Sequence, residues 1–270
     1  AVPEASGASV SIAEALDQGA DIVITGRGTD PGLVIGPLIH EFGWTAEDLD
    51  QLAAGTVAGH IVECGAQCTG GNYTSWREVK DMAMIGYPVI EARPDGSFTV
   101  TKHEGTGGMV TRDTVVHQLG YEMGDPANYI TPDVVADFTS FELEDEGDDR
   151  VTIRGVKGRP ATPTYKVSMS YGDGWKSVGQ LTISGPDALE KAKLASDVVW
   201  ARLAYDGFEY ADDERLIEFV GANVCHDGIP VPGADDPSEV VLRLGVKGAG
   251  RAEVARFGSE LVPLVTSGPP

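Results

Sequence analysis

The sequence predicts an α/β first half, an incomplete parallel sheet with helices, followed by an α+β second half in which a sheet carries helices. Two observations carry this. Near the start, a run with helical periodicity ends at Gly19 and passes directly into a short apolar run, the order found in strand–helix–strand units. From residue 150 onward strand-like runs outnumber helical ones, after an acidic stretch (142–149) that reads as a solvated turn. The division is therefore placed between an α/β portion, 1–149, and an α+β portion, 150–270.

Taken in order, residues 9–18 place Ile12, Ala15 and Leu16 on one helical face, and residues 21–25 (DIVIT) read as a strand with an apolar centre. A buried parallel strand needs a neighbour. None precedes it and the chain begins at Ala1, so the sequence is expected to be a fragment whose partner strand lies upstream. Helices are predicted at 31–41, 46–68, 75–85 and 110–123, and a strand at 96–102. The second half offers strands at 151–156, 164–171, 175–184, 217–222 and 240–246, with helices at 186–204 and 251–265. Asp173-Gly174 is a hairpin turn signal between two of these runs.

Composition narrows the class. With 41% hydrophobic and 23% charged residues among 270, the chain is globular. Apolar runs such as Leu33-Val34-Ile35 are far shorter than the ~20 residues of a membrane span. The net charge of −22 opposes binding to nucleic acid or an anionic membrane. Three cysteines, an odd number and too few for a disulfide framework, suit a reducing cytoplasm.

Four loops carry candidate chemistry. After the 21–25 run, Arg27 stands between glycines and offers a fork of donors to a carboxylate or phosphate; Asp30 joins it, or caps a helix that begins at Pro31. On a helix through 59–68, His60, Glu63, Cys64 and Gln67 fall on one stripe leading into Thr69, Gly70 and Gly71. His60 and Glu63 at i, i+3 suit an oriented acid/base pair, or a contact that only staples the helix to its neighbour. Cys64 and Cys68 are a weak metal hint with no second ligand motif to support it. A third loop, Glu104, Gly105, Thr106, Gly107 and Gly108, lies between a strand and a helix, where free backbone amides suit an anion; a plain turn is the alternative. The fourth, 221–228, holds Cys225 and His226, which as strand neighbours point apart, so a turn is the simpler reading.

The segments GADIVITGR (19–27), LIHEFGW (38–44), AAGTVAGHIVECGAQCTGG (53–71), EGTGG (104–108), YITPDVVADF (129–138) and GVKGRPA (155–161) resemble the acyclic terpene utilisation (AtuA-like) family, and the resemblance covers nearly the whole chain. It implies a place in the breakdown of citronellol- and geraniol-type terpenes, a chemistry that runs through CoA thioesters, with no role established for any residue. The expected function is then a hydratase or lyase moving a proton on a branched carboxylic acid or acyl-CoA, or else a non-catalytic ligand-binding or complex-forming subunit. In the first reading His60 and Glu63 move the proton while Arg27, Asp30, Gln67, the 69–71 loop and the 104–108 loop hold the anion. No cofactor is evident beyond a CoA thioester as substrate carrier, and the partner is a small organic acid or acyl-CoA, with a homo-oligomer left open.

Overall fold

The computed structural model describes residues 7–164, 169–222, 224–226, 229, 232–235 and 237–270. It divides into two compact units, 1–168 and 169–270.

The first unit is assembled on one central helix. α1 (Gly7–Asp17), α2 (Gly32–Phe42) and α3 (Leu49–Glu63) follow one another in the chain. α1 ends at Gly19, whose φ of +84° lets its N–H reach back to the Leu16 carbonyl, the turn a side chain would resist. α1 crosses α2 at Gly36, where an added Cβ would stand 2.7 Å from Ile12. α2 crosses α3 at Gly55 and Gly59, which face Ile35 and Pro31, so the two helices run antiparallel. α3 is buried on every side from Leu52 to Ile61, which explains why its sequence carries no single apolar stripe.

Around it lie two antiparallel sheets. β1 (Pro88–Ala92), β2 (Phe98–Lys102), β5 (Glu142–Gly147) and β6 (Arg150–Arg154) form one, in the order β1-β2-β6-β5. β3 (Tyr129–Ile130), β4 (Val134–Asp137) and β7 (Lys157–Pro160) form the other, in the order β3-β4-β7. α4 (Arg112–Leu119) stands between β2 and β3 in the chain. Val57, Ile61, Phe98, Val100, Val115, Val134, Val151 and Ile153 close the core.

The parallel sheet expected here is not formed: all strand pairs of the first unit are antiparallel among the described residues. Residues 21–25 form no strand, and Ile22 and Ile24 are 82% and 91% exposed. Their apolar pattern fits a buried strand, but burial needs a partner, and the described sheets grow instead from hairpins with short turns. The acidic stretch is one of these hairpins rather than a plain turn. Most of it is β5, and Asp148 and Asp149 make the reversal at φ +48° and +58°, a turn that short acidic side chains tolerate. The helix expected at 46–68 stops at Glu63 because Gly65 takes φ +57°. The helix expected at 75–85 is two isolated 3₁₀ turns, Trp76–Glu78 and Met82–Met84.

The second unit has the α+β form expected. β8 (Trp175–Ser184), β9 (Arg215–Val220) and β10 (Glu239–Gly248) make an antiparallel sheet with β10 in the middle, paired with β8 from Glu239↔Ser184 to Gly248↔Trp175. α5 (Ala188–Tyr205) and α6 (Arg251–Gly258) cover one face; α7 (Leu264–Ser267) ends the chain. Val240, Leu242, Leu244 and Val246 alternate inward from β10 to meet Ala192, Val199, Leu203 and Phe257. The strand expected at 164–171 lies in part outside the described residues; Thr164 and 169–171 belong to no strand. No helix of the described residues is long and apolar enough to cross a membrane.

Candidate functional site

His60 occupies the last turn of α3 and is 1% exposed. Its Nε2 lies 3.1 Å from the backbone carbonyl of Gln118 on α4, and the Gln118 side chain donates back to the His60 carbonyl at 2.7 Å. Tyr129 and Phe138 meet the imidazole edge-on, with centroids 5.6 and 5.4 Å away. A carbonyl oxygen only accepts, so the proton of the ring is held on Nε2. Nδ1 then faces Oε1 of Glu63 at 2.9 Å, off the direction of a well-formed N–H bond. The two groups are thus held in contact on one face of α3, at the i, i+3 spacing of the helix. Glu63 is the more exposed partner, with about an eighth of its side chain open, 12%.

The 26–31 loop returns to α3 beside this pair. Pro31 rests on Gly59, one helical turn before Glu63 on the same face of α3. Burial pushes the Tyr129 phenol up to about 12, with the charges of Glu63, Asp30 and Glu122 adding to the effect. Asp30 and Glu63 thus act on the same phenol, which stays a neutral donor. Asp30 does not cap α2: the helix begins after Pro31 and no side chain bonds its end. Arg27 is exposed and makes no salt bridge or hydrogen bond among the described residues.

The other two glycine loops meet each other. Met109 N–H donates to the Thr69 carbonyl at 2.9 Å, and Gly108 leaves no room for a Cβ against that carbonyl and that of Ile85. The amides expected to be free for an anion are committed. Gly107 and Gly108 donate to the Met84 and Ile85 carbonyls, while Thr69 and Gly71 both donate to that of Ala66 and Gly70 to that of Gln67. The start of α4 is also filled, because Val110 and Arg112 N–H donate to the Asp149 and Asp145 carboxylates. Lys102 holds this corner through the Thr106 carbonyl at 2.9 Å and Asp149 at 3.4 Å. The glycines of these loops therefore serve close backbone packing. Glu104 is exposed, with no side-chain partner among the described residues. Burial pushes the Cys68 thiol up to about 12, so it stays protonated and packs as a small apolar group.

Gln67 falls elsewhere than on the His60–Glu63 stripe. Beyond the Gly65 turn it lines a cleft of about 610 Å³ between residues 72–75 and the second half of α4. Here Thr74 Oγ1 and His117 Nε2 share a 2.9 Å hydrogen bond, and Tyr73 meets the same imidazole edge-on at 5.6 Å. Sequence reasoning missed His117, Thr74, Gln118 and Tyr129. His117 and Gln118 are adjacent on α4 and face different neighbours, which no local spacing reveals. In the second unit, Cys225 and His226 lie in a turn beside a hollow of about 280 Å³; Asn223, Asp227 and Gly228 are outside the described residues.

The family model described as acyclic terpene utilisation family protein AtuA matches residues 7–270. No curated protein and no solved structure matches the chain.

Proposed function

The chain belongs to the acyclic terpene utilisation family, and from that premise we propose that it is a hydratase or lyase moving a proton on a branched carboxylic acid, with Glu63 as the proton carrier. One observation supports this above the others: Nε2 of His60 is tied to the Gln118 carbonyl, so that Nδ1 faces Oε1 of Glu63 at 2.9 Å, with Glu63 at the more open end of the buried pair. His60, enclosed by α4 and two aromatic rings, is a positioning residue. In the lyase direction Glu63 takes a proton from the carbon next to the carboxyl, and the electron pair moves onto the carboxyl oxygen. The pair then returns to expel the β-hydroxyl, which leaves as water with the proton Glu63 took; hydration is the reverse. Tyr129, kept neutral by its surroundings, supplies an O–H to the oxygen on which charge develops. Arg27, exposed and unpaired among the described residues, suits the acid's own charge. The free acid is favoured over its acyl-CoA thioester because the amides that would cradle phosphates at 107–112 are already bonded within the chain.

The alternative, a non-catalytic subunit, draws on the exposed and unpaired Ile22 and Ile24, a surface suited to another chain. Glu63→Gln separates the two. It keeps the shape and removes the base, so growth of the host on an acyclic terpenoid should fail while the melting temperature stays within a degree or so of the parent's. Normal growth would leave the subunit reading; unfolding would make the pair a staple.

A further inference from the structure

The cleft between 72–75 and α4 has a one-sided electrostatic character. Its volume of about 610 Å³ falls in the range of about 300–1,000 Å³ typical of small-molecule sites. No Lys or Arg lines it among the described residues. Asp113 does line it, and its carboxylate has no ion pair or hydrogen bond among the described residues. Val116, His117, Gly120 and Tyr121 belong to the C-terminal end of α4 and the residues after it, the negative end of the helix dipole. There the His117 carbonyl takes no backbone donor, because the Tyr121 N–H turns to the Gln118 carbonyl instead. Two aromatic rings, Tyr73 and Tyr121, add faces that attract positive charge. Tyr73 is held in the wall: its ring stands at 86° to that of His117, with centroids 5.6 Å apart, and Thr74 Oγ1 bonds the same imidazole at 2.9 Å. The side-chain amides of Gln67 and Asn72, unbonded among the described residues, supply further acceptor oxygens.

This set repels an anion, and a neutral molecule would use only part of it. The free carboxylate, the helix end and the two rings all favour one kind of ligand, a cation. Val116, 43% exposed, offers a hydrocarbon surface beside them. We infer that the cleft binds a primary alkylammonium ion, its N–H groups donating to Asp113 and neighbouring oxygens and its chain lying along Tyr73, Val116 and Tyr121. The net charge of −22 raises the local concentration of any cation, so the test has to separate the cleft from that general attraction. The inference goes beyond the proton-transfer reading and shares no residue with it.

The experiment is calorimetric titration of the full chain, at neutral pH and about 0.15 M salt, with pentylammonium and with 1-pentanol, its uncharged counterpart. The ammonium ion should bind at least about tenfold more tightly than the alcohol, the ratio that one well-placed charge supplies. Asp113→Asn should weaken it about tenfold, and Tyr73→Leu about threefold. Val116→Lys, at an exposed helical position, sets a competing cation in the cleft and should abolish binding with the melting temperature retained. Asp197→Asn, exposed on α5, removes the same charge from outside the cleft lining and should leave binding at the parent's value. Amide spectra of the parent chain need no variant: pentylammonium should shift the signals of 72–75 and 113–121 ahead of the rest. A chain that binds no pentylammonium, or binds the alcohol as tightly, overturns the inference. So do shifts that spare those two segments, and folded cleft variants that bind like the parent. Equal losses in Asp113→Asn and Asp197→Asn would mean attraction to the general charge alone, and would overturn it too. Growth of the host with Glu63→Gln is read separately, so either proposal can fail while the other stands.

Discussion

At the scale of single residues, the pairing of His60 with Gln118 holds the candidate site in place. Each of the two bonds crosses from α3 to α4, and both residues are fully enclosed. Gln118→Leu keeps the volume but removes the side-chain donor to the His60 carbonyl, and should destabilise the first unit by about 1–3 kcal/mol. Urea denaturation monitored by fluorescence gives the number. A midpoint equal to the parent's would mean that the Gln118 side-chain bond adds nothing to the docking of the two helices. The His60–Glu63 contact was readable in the sequence because i, i+3 spacing on a helix brings two side chains together by local geometry. Gln118 was not: it arrives from 58 positions away, and nothing in its neighbours marks which of Val116, His117 or Gln118 turns inward.

At the scale of elements, small residues decide how closely helices approach. A Cβ at Gly59 would stand 2.9 Å from Pro31 Cβ and 3.0 Å from its carbonyl oxygen. Neither of these groups can rotate away. Gly59→Ala gains up to about 1 kcal/mol of helix propensity, yet should lose about 1–3 kcal/mol to overpacking, for a net fall in stability. Gly124→Ala, where a Cβ meets nothing within 4 Å, is the control and should leave the melting temperature where it is. In the second unit Glu260, 3% exposed, bridges Arg202 of α5 and Arg256 of α6. These guanidinium groups, Arg202 first, hold its carboxyl below the ordinary carboxylate range. A depressed folded value means that the charged form adds stability above the unfolded value of about 4.3, which is lost as pH falls through the lower folded one. The stability gap between the parent and Glu260→Gln should therefore narrow on acidification below about pH 5. A gap independent of pH would show that the ion pairs contribute nothing to the docking of α5 and α6.

At the scale of the whole molecule, the net charge of −22 sets up self-repulsion that folding has to overcome. Raising the salt concentration from 0.01 M, where the screening length is about 30 Å, to 0.1 M, where it is about 10 Å, should raise the melting temperature. A constant or falling value would mean that local ion pairs, which salt weakens, outweigh the general repulsion. Family membership, the α+β second unit, most helices and the strands β2, β6, β8, β9 and β10 were legible in the sequence, since each depends on motifs or periodicities that are local in the chain, whereas β1, β3, β4, β5 and β7 were not. The tertiary structure alone decided the rest. An apolar run such as 21–25 states that it can be a strand, but only a second run at hydrogen-bonding distance makes it one, and among the described residues no strand pairs with it. A glycine-rich loop likewise offers amides, yet whether they are free depends on carbonyls brought from elsewhere, as Met84 and Ile85 are brought to Gly107 and Gly108. Local sequence determines what a segment is able to bond; which bonds form is settled by the segments that folding places beside it.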